Sequence, residues 1–181
     1  MTRYTTWRAS GALAVLLLVA TTAPAAEPLR VLILTGANNH DWKATTPVLR
    51  EIIEQCPRFQ VVDVLEDPSR VTAELLAGCD VTVSNWSAYP EMTGHQWGAM
   101  AEQDFVTWVQ AGHGFVVFHA AAATSQDWPE FQQLVQLTWG LNTTAHGAYH
   151  TFKVTVRDGD HPITRSMRDF WITDELWHNM V

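Results

Sequence analysis

Two stretches of this chain carry an unbroken apolar run that leads, directly or through a short polar loop, to a histidine. In the first, residues 115–118 are β-branched or aromatic throughout, the pattern of a strand covered on both faces. This run leads into His119 and then into Ala120, Ala121, Ala122 and Ala123, which let the chain turn without bulk. In the second, residues 31–34 lead through Thr35, Gly36, Ala37, Asn38 and Asn39 to His40 and Asp41. Each histidine is thereby expected at the carboxyl end of a strand, the edge where open parallel sheets bind ligands.

The remaining pattern predicts strands over 29–35, 59–65, 81–85, 152–156 and 170–173. Helical spacing fills the gaps. Thr46 with Pro47 predicts a helix start, running to about Gln55, and Ser69 opens a short helix ending near Gly78. Residues 93–96 fit a capping box, followed by Trp97, Met100, Phe105, Trp108 and Val109 at helical intervals, with Gly112 as terminator. A last helix is expected over 129–137. Strands alternating with helices imply an α/β fold, a parallel sheet with helices on both faces, of flavodoxin-like or class I glutamine amidotransferase-like layout. The 115–118 strand is expected near its centre. Loops after the first, third and fourth strands then converge on one edge, bringing together Asn38, Asn39, His40, Asp41, Asn85, Trp86, Tyr89 and His119.

Residues 1–25 stand apart. Arg3 and Arg8 precede an apolar run over 12–20, and Ala23-Pro24-Ala25 supplies a small-residue cleavage signal. The run is too short to span a bilayer. The expectation is a signal peptide over 1–25 and a single domain over 26–181, periplasmic or secreted, with no stable membrane insertion after cleavage. The formal net charge of −8 becomes more negative once Arg3 and Arg8 are removed. Such a surface argues against nucleic acid and anionic membranes as partners, and leaves a neutral sugar open. The two cysteines, Cys56 and Cys79, are expected at the sheet edge opposite His119; export permits a bridge between them, and two small thiols are the alternative.

His119 and His40 are the candidate acid/base residues. Asp174 and Glu175 supply the carboxylates that histidines alone lack. Asn39 and Asp41 are candidate polar contacts to a substrate, and Trp86 and Tyr89 candidate surfaces for the apolar face of a sugar ring. His146 and His150 form a weaker, loop-borne candidate metal pair, so a divalent metal is a candidate cofactor. His113, His95 and His161 are expected in structural or solvated roles. No G-x-S-x-G elbow, Walker loop, G-x-G-x-x-G or H-E-x-x-H occurs. Where a hydrolase or amidotransferase of this layout would carry Ser or Cys, this chain carries His119, which disfavours covalent acyl chemistry.

The segments 31–36 through His40-Asp41-Trp42, Gly112 through Phe118-His119-Ala120-Ala121, His161-Pro162-Ile163 and Asp174-Glu175-Leu176 together resemble the ThuA-like, or trehalose-utilisation, family. The resemblance covers about 29–180. It implies a class I glutamine amidotransferase-like fold without the amidotransferase cysteine, and a link to catabolism of sugars, including oxidised (3-keto) disaccharides and glycosides. Carried over by position, the family pattern points to His40, His119 and the Asp174-Glu175 pair. The family also continues beyond its Asp-Glu-Leu motif, so the resemblance implies that strands are lacking after Val181.

Three functions are therefore expected in order: an exported protein that cleaves or converts oxidised glycosides by acid/base chemistry, a non-catalytic carbohydrate-binding domain, and a metal-binding domain. A keto group near the glycosidic carbon acidifies a neighbouring C–H, so a base starts the reaction and no strong nucleophile is required. His119 or His40 would be that base, and Glu175 or Asp174 the acid or a metal ligand.

Overall fold

The computed structural model describes residues 26–181; the expected signal peptide lies outside the described residues. Four parallel strands form the central sheet: β1 (Leu29–Leu34), β2 (Phe59–Leu65), β3 (Val81–Ser84) and β4 (Gly114–Val117), in the order β2-β1-β3-β4. Four helices accompany them: α1 (Trp42–Glu54), α2 (Ala73–Ala77), α3 (Ala99–Gln110) and α4 (Pro129–Val135). Strand alternation sorts β1 into two cores. Val31 and Ile33 join Val61 and Val83, with Ile53 of α1 packed on them. Leu32 and Leu34 point the other way, into a larger core with Leu76, Trp97, Phe105, Trp108, Trp128 and Phe131. The sheet is thus covered on both faces around β1, and the α/β parallel architecture is as the alternating pattern implies.

Several boundaries differ from the sequence pattern. Helix α1 begins at Trp42, not Pro47, because the Asp41 carboxylate caps it, accepting the Ala44 N–H at 3.1 Å. Pro47 then sits inside the helix. Ser69 belongs to a 3₁₀ turn, Pro68–Arg70, and α2 starts afresh with Thr72 as cap. Helix α3 begins at Ala99 after Gly98, which has φ +85°; the expected capping box does not form, and Met100 is 77% exposed. In its place Glu102 reaches back to the Trp97 N–H and the His95 ring.

The largest correction concerns β4. It borders the described sheet and does not lie near its centre. Phe115 packs on Phe105 and Phe131, but Val116 is 50% exposed and Phe118 38%. The next two long strands do not extend the sheet: β6 (His150–Val154) pairs antiparallel with β7 (Phe170–Asp174). A shorter antiparallel pair joins β5 (Ala145–His146) to β8 (Trp177–His178). Cys56 follows α1 and Cys79 precedes β3, both at the amino edge; both are free thiols, and burial raises the Cys79 pKa. Among the described residues no helix is long and apolar enough to cross a membrane.

The loop after β1 depends on Gly36. Its φ is +101°, and a Cβ there would lie 2.5 Å from the Glu66 carbonyl oxygen. Gly36→Ala is expected to lower unfolding free energy by about 1–3 kcal/mol, while Gly159→Ala, whose added Cβ meets nothing within 4 Å, changes little. Denaturant titration of both variants checks this; equal stabilities would contradict it.

Candidate functional site

The site begins with strand register. Leu34 of β1 pairs with Ser84 of β3, and Ser84 with Val117 of β4, so the three strands end side by side. The loop after β1 is then fixed by buried polar groups. Asn85 donates to Thr45 Oγ1 at 3.0 Å and to Thr46 Oγ1 at 3.3 Å, and Thr46 shares a 2.6 Å hydrogen bond with Thr35. Asn38 donates to the Asn85 carbonyl at 2.8 Å, and its own side-chain oxygen accepts the His40 N–H at 2.8 Å. This network ties the carboxyl ends of β1 and β3 to the first turns of α1 and sets the position of His40.

His119 is placed by a backbone turn. Its φ is +45°, a left-handed conformation that is costly for a residue with a side chain. The four alanines after it form a 3₁₀ turn and are all buried. The imidazole stands between two rings, with centroids 4.6 Å from His40 and 4.5 Å from Trp177. Burial lowers the His119 pKa below its ordinary 6.5, the nearby His40 lowers it further, and Asp174 and Glu175 oppose the shift. At neutral pH the ring is therefore predominantly the free base.

The other half of the site comes from two segments that hold each other. Thr138 and Val181 exchange both backbone hydrogen bonds, at 2.7 and 2.9 Å; Thr144 Oγ1 donates to the Asn179 carbonyl at 3.0 Å; β5 pairs with β8. Trp139 is pinned to the alanine turn by its N–H to the Ala122 carbonyl, 3.0 Å. These contacts line a cleft with Asn39, His40, Tyr89, Ala120, Ala123, Trp139, His146, Glu175 and Trp177. His119 adjoins it through His40 and Trp177. Tyr89, Trp139 and Trp177 meet edge to face along one wall, with centroids 5.9 and 4.9 Å apart.

The structure brings together His40, His119, Asn39, Tyr89 and Glu175 as the sequence pattern anticipates. It separates others. Trp86 is 5% exposed and packs edge-on against Trp97: the chain after β3 stays extended, so Asn85 and Ser87 face the polar loops while Trp86 turns into the core. The Asp41 side chain caps α1. Asp174 accepts the Glu175 N–H, and Glu175 is the carboxylate in the cleft wall. His146 lies in the cleft, but His150 packs on Phe152 in β6. The expected metal pair of His146 and His150 is thus divided between the cleft and β6, and among the described residues no three His, Cys, Asp or Glu side chains are grouped closely enough to hold a metal ion. His113 stacks on Trp108 at 4.4 Å, a structural role. Sequence reasoning missed Trp139 and Trp177.

A parallel α/β sheet with a histidine-lined cleft at its carboxyl edge and no cysteine or serine nucleophile at the strand-four turn defines the class. The profile of the ThuA family, described as trehalose utilisation, matches residues 30–181. The chain belongs to that family. Among solved structures it is similar to a ThuA-like protein from Bacteroides uniformis ATCC 8492, with a TM-score of 0.64 and 19% identity, a likeness of fold. The match covers 87% of this chain and 64% of that one, so this chain spans under two thirds of its length. No curated protein matches the chain.

The pKa of His119 gives a direct check on this geometry. An NMR titration is expected to place its midpoint below 6.5, and Trp177→Ala, by opening the ring to water, to raise it toward 6.5. A midpoint at or above 6.5 in the unaltered protein would mean that the ring is not held between His40 and Trp177.

Proposed function

We propose that the cleft binds an oxidised (3-keto) glycoside or disaccharide and cleaves it by acid/base chemistry, in keeping with the sugar-metabolism link carried by the family description. The observation that supports this most is the His40–His119 pair beside an aromatic wall, with His119 held in its basic form. The rings of Tyr89, Trp139 and Trp177 offer apolar faces to a sugar, while Asn39 and Glu175 offer hydrogen-bonding groups.

The keto group at C3 makes the C2 proton acidic. His119 takes that proton, with His40 as the other imidazole of the pair. The electron pair left behind forms a C1=C2 double bond as the C1–O bond breaks, and the departing oxygen takes a proton from an acid of the Asp174-Glu175 segment. Addition of water at C1 and return of the proton to C2 complete a net hydrolysis. If the chain stops after the first stage, it is a lyase. A non-catalytic sugar-binding role uses the same aromatic wall and predicts binding without turnover.

Turnover of a 3-keto-disaccharide decides between them. His119→Ala is expected to reduce kcat by about 10²–10⁴-fold, the usual contribution of a general base, and His113→Ala, whose ring stacks on Trp108, to change it little. The rate of the unaltered protein is expected to be full at neutral pH and to fall in acid as pH drops through the lowered His119 value, because protonation removes the base. Asp174, Glu175 and His40 are the ionisable groups that face this ring and shape that profile. Equal effects of the two substitutions would rule out His119 as the base.

A further inference from the structure

We propose that His146 and Glu175 act as one proton-donating unit, the acid that complements the His40–His119 base; the assignment rests on the keto-glycoside reading above. The β5–β8 register sets His146 opposite Trp177, two residues beyond Glu175. Glu175 divides its oxygens between these two neighbours. Oε1 lies 3.6 Å from His146 Nε2, and Oε2 accepts the Trp177 indole N–H at 3.1 Å. On its other side, His146 Nδ1 is 3.0 Å from the Gly147 carbonyl oxygen.

A carbonyl oxygen only accepts, so His146 Nδ1 carries a hydrogen. Nε2 is then the nitrogen that faces the carboxylate. Without a proton, Nε2 and Oε1 are both acceptors and have nothing to exchange; with one proton between them, both are satisfied. The side chains are 40% and 27% exposed, so the pair stands at the cleft and is not sealed in the core. The aromatic wall links it to the base: Trp139 is 6.2 Å from His146, Trp177 4.9 Å from Trp139, and His119 4.5 Å from Trp177. Elimination is served by a base and an acid on separate residues, because one proton leaves C2 while another goes to the oxygen departing from C1.

The step balances. As C1–O breaks, its electron pair stays on the departing oxygen, which takes the proton shared by His146 and Glu175 and leaves as an alcohol. The water that adds to C1 returns a proton to the pair, and His119 returns its proton to C2. Trp177 is a positioning residue here, because it acts through the Glu175 carboxylate.

Leaving-group dependence tests the assignment with the full chain. The two substrates are a 3-keto-disaccharide, whose sugar alcohol must be protonated to leave, and a 4-nitrophenyl 3-keto-glycoside, whose phenolate leaves unprotonated. His146→Gln and Glu175→Gln are expected to lose about 100-fold or more on the disaccharide and less than about 5-fold on the nitrophenyl substrate, as general-acid catalysis requires. His119→Ala is expected to lose on both. Retained nitrophenyl turnover also reports that the variants fold. Equal losses on both substrates would overturn the assignment, since His146 and Glu175 would then merely hold the cleft together. Turnover sensitive to His119 but indifferent to His146 and Glu175 would overturn it while leaving the keto-glycoside reading standing. Failure of the unaltered protein to turn over either substrate would overturn both.

Discussion

Leu34, Ser84 and Val117 stand on one register line across three parallel strands, and the site depends on that line. Parallel strands that end together must send their loops off the same edge. The β1 loop and the turn after β4 therefore meet although about eighty residues of sequence separate them, and His40 comes to lie against His119. Buried hydrogen bonds hold the alignment. Asn85, Thr35, Thr45 and Thr46 satisfy one another beneath the loop, and loss of one partner would strand another without water, at a cost of about 1–3 kcal/mol.

The second half of the cleft obeys a different constraint. Residues 138–146 and 175–181 carry little core of their own and are ordered by pairing with each other. That pairing supplies Trp139, His146, Glu175 and Trp177 together, so the aromatic wall and the carboxylate arrive as one piece. The Trp139 N–H bond to Ala122 docks this piece onto the turn that bears His119. The four small side chains of that turn permit the close approach, and all four are buried by it.

This division explains what could be read from the chain. The two strand-then-histidine runs obey local rules, a buried apolar strand followed by a polar or small-residue loop, and those rules located His40 and His119. Asn39, Tyr89 and Glu175 followed from the convergence of loops and from the family pattern. Trp86 went astray because three residues of extended chain beyond β3 continue the in-and-out alternation and turn it into the core. Pro47 misled because a side-chain cap six residues upstream at Asp41 outweighs the preference of proline for a first turn. The exposed face of β4 is a matter of which strands come to lie beside it, and no feature of residues 115–118 encodes that. Trp139 was hidden, and His146 was paired with His150, for a related reason: the place of His146 is set by a two-residue ladder and that of Trp139 by a bond to Ala122, both too short to leave a periodic signature.

Under the proposed function, His119, held as the free base beside His40, removes a proton from carbon next to a ketone. Exchange of the C2 hydrogen of a 3-keto-sugar for deuterium, followed by proton NMR in deuterated water, measures that event without requiring bond cleavage. The unaltered protein is expected to accelerate exchange at C2 above the buffer rate, and His119→Ala to abolish the acceleration. Exchange no faster than in buffer, or equally fast with His119→Ala, would contradict it.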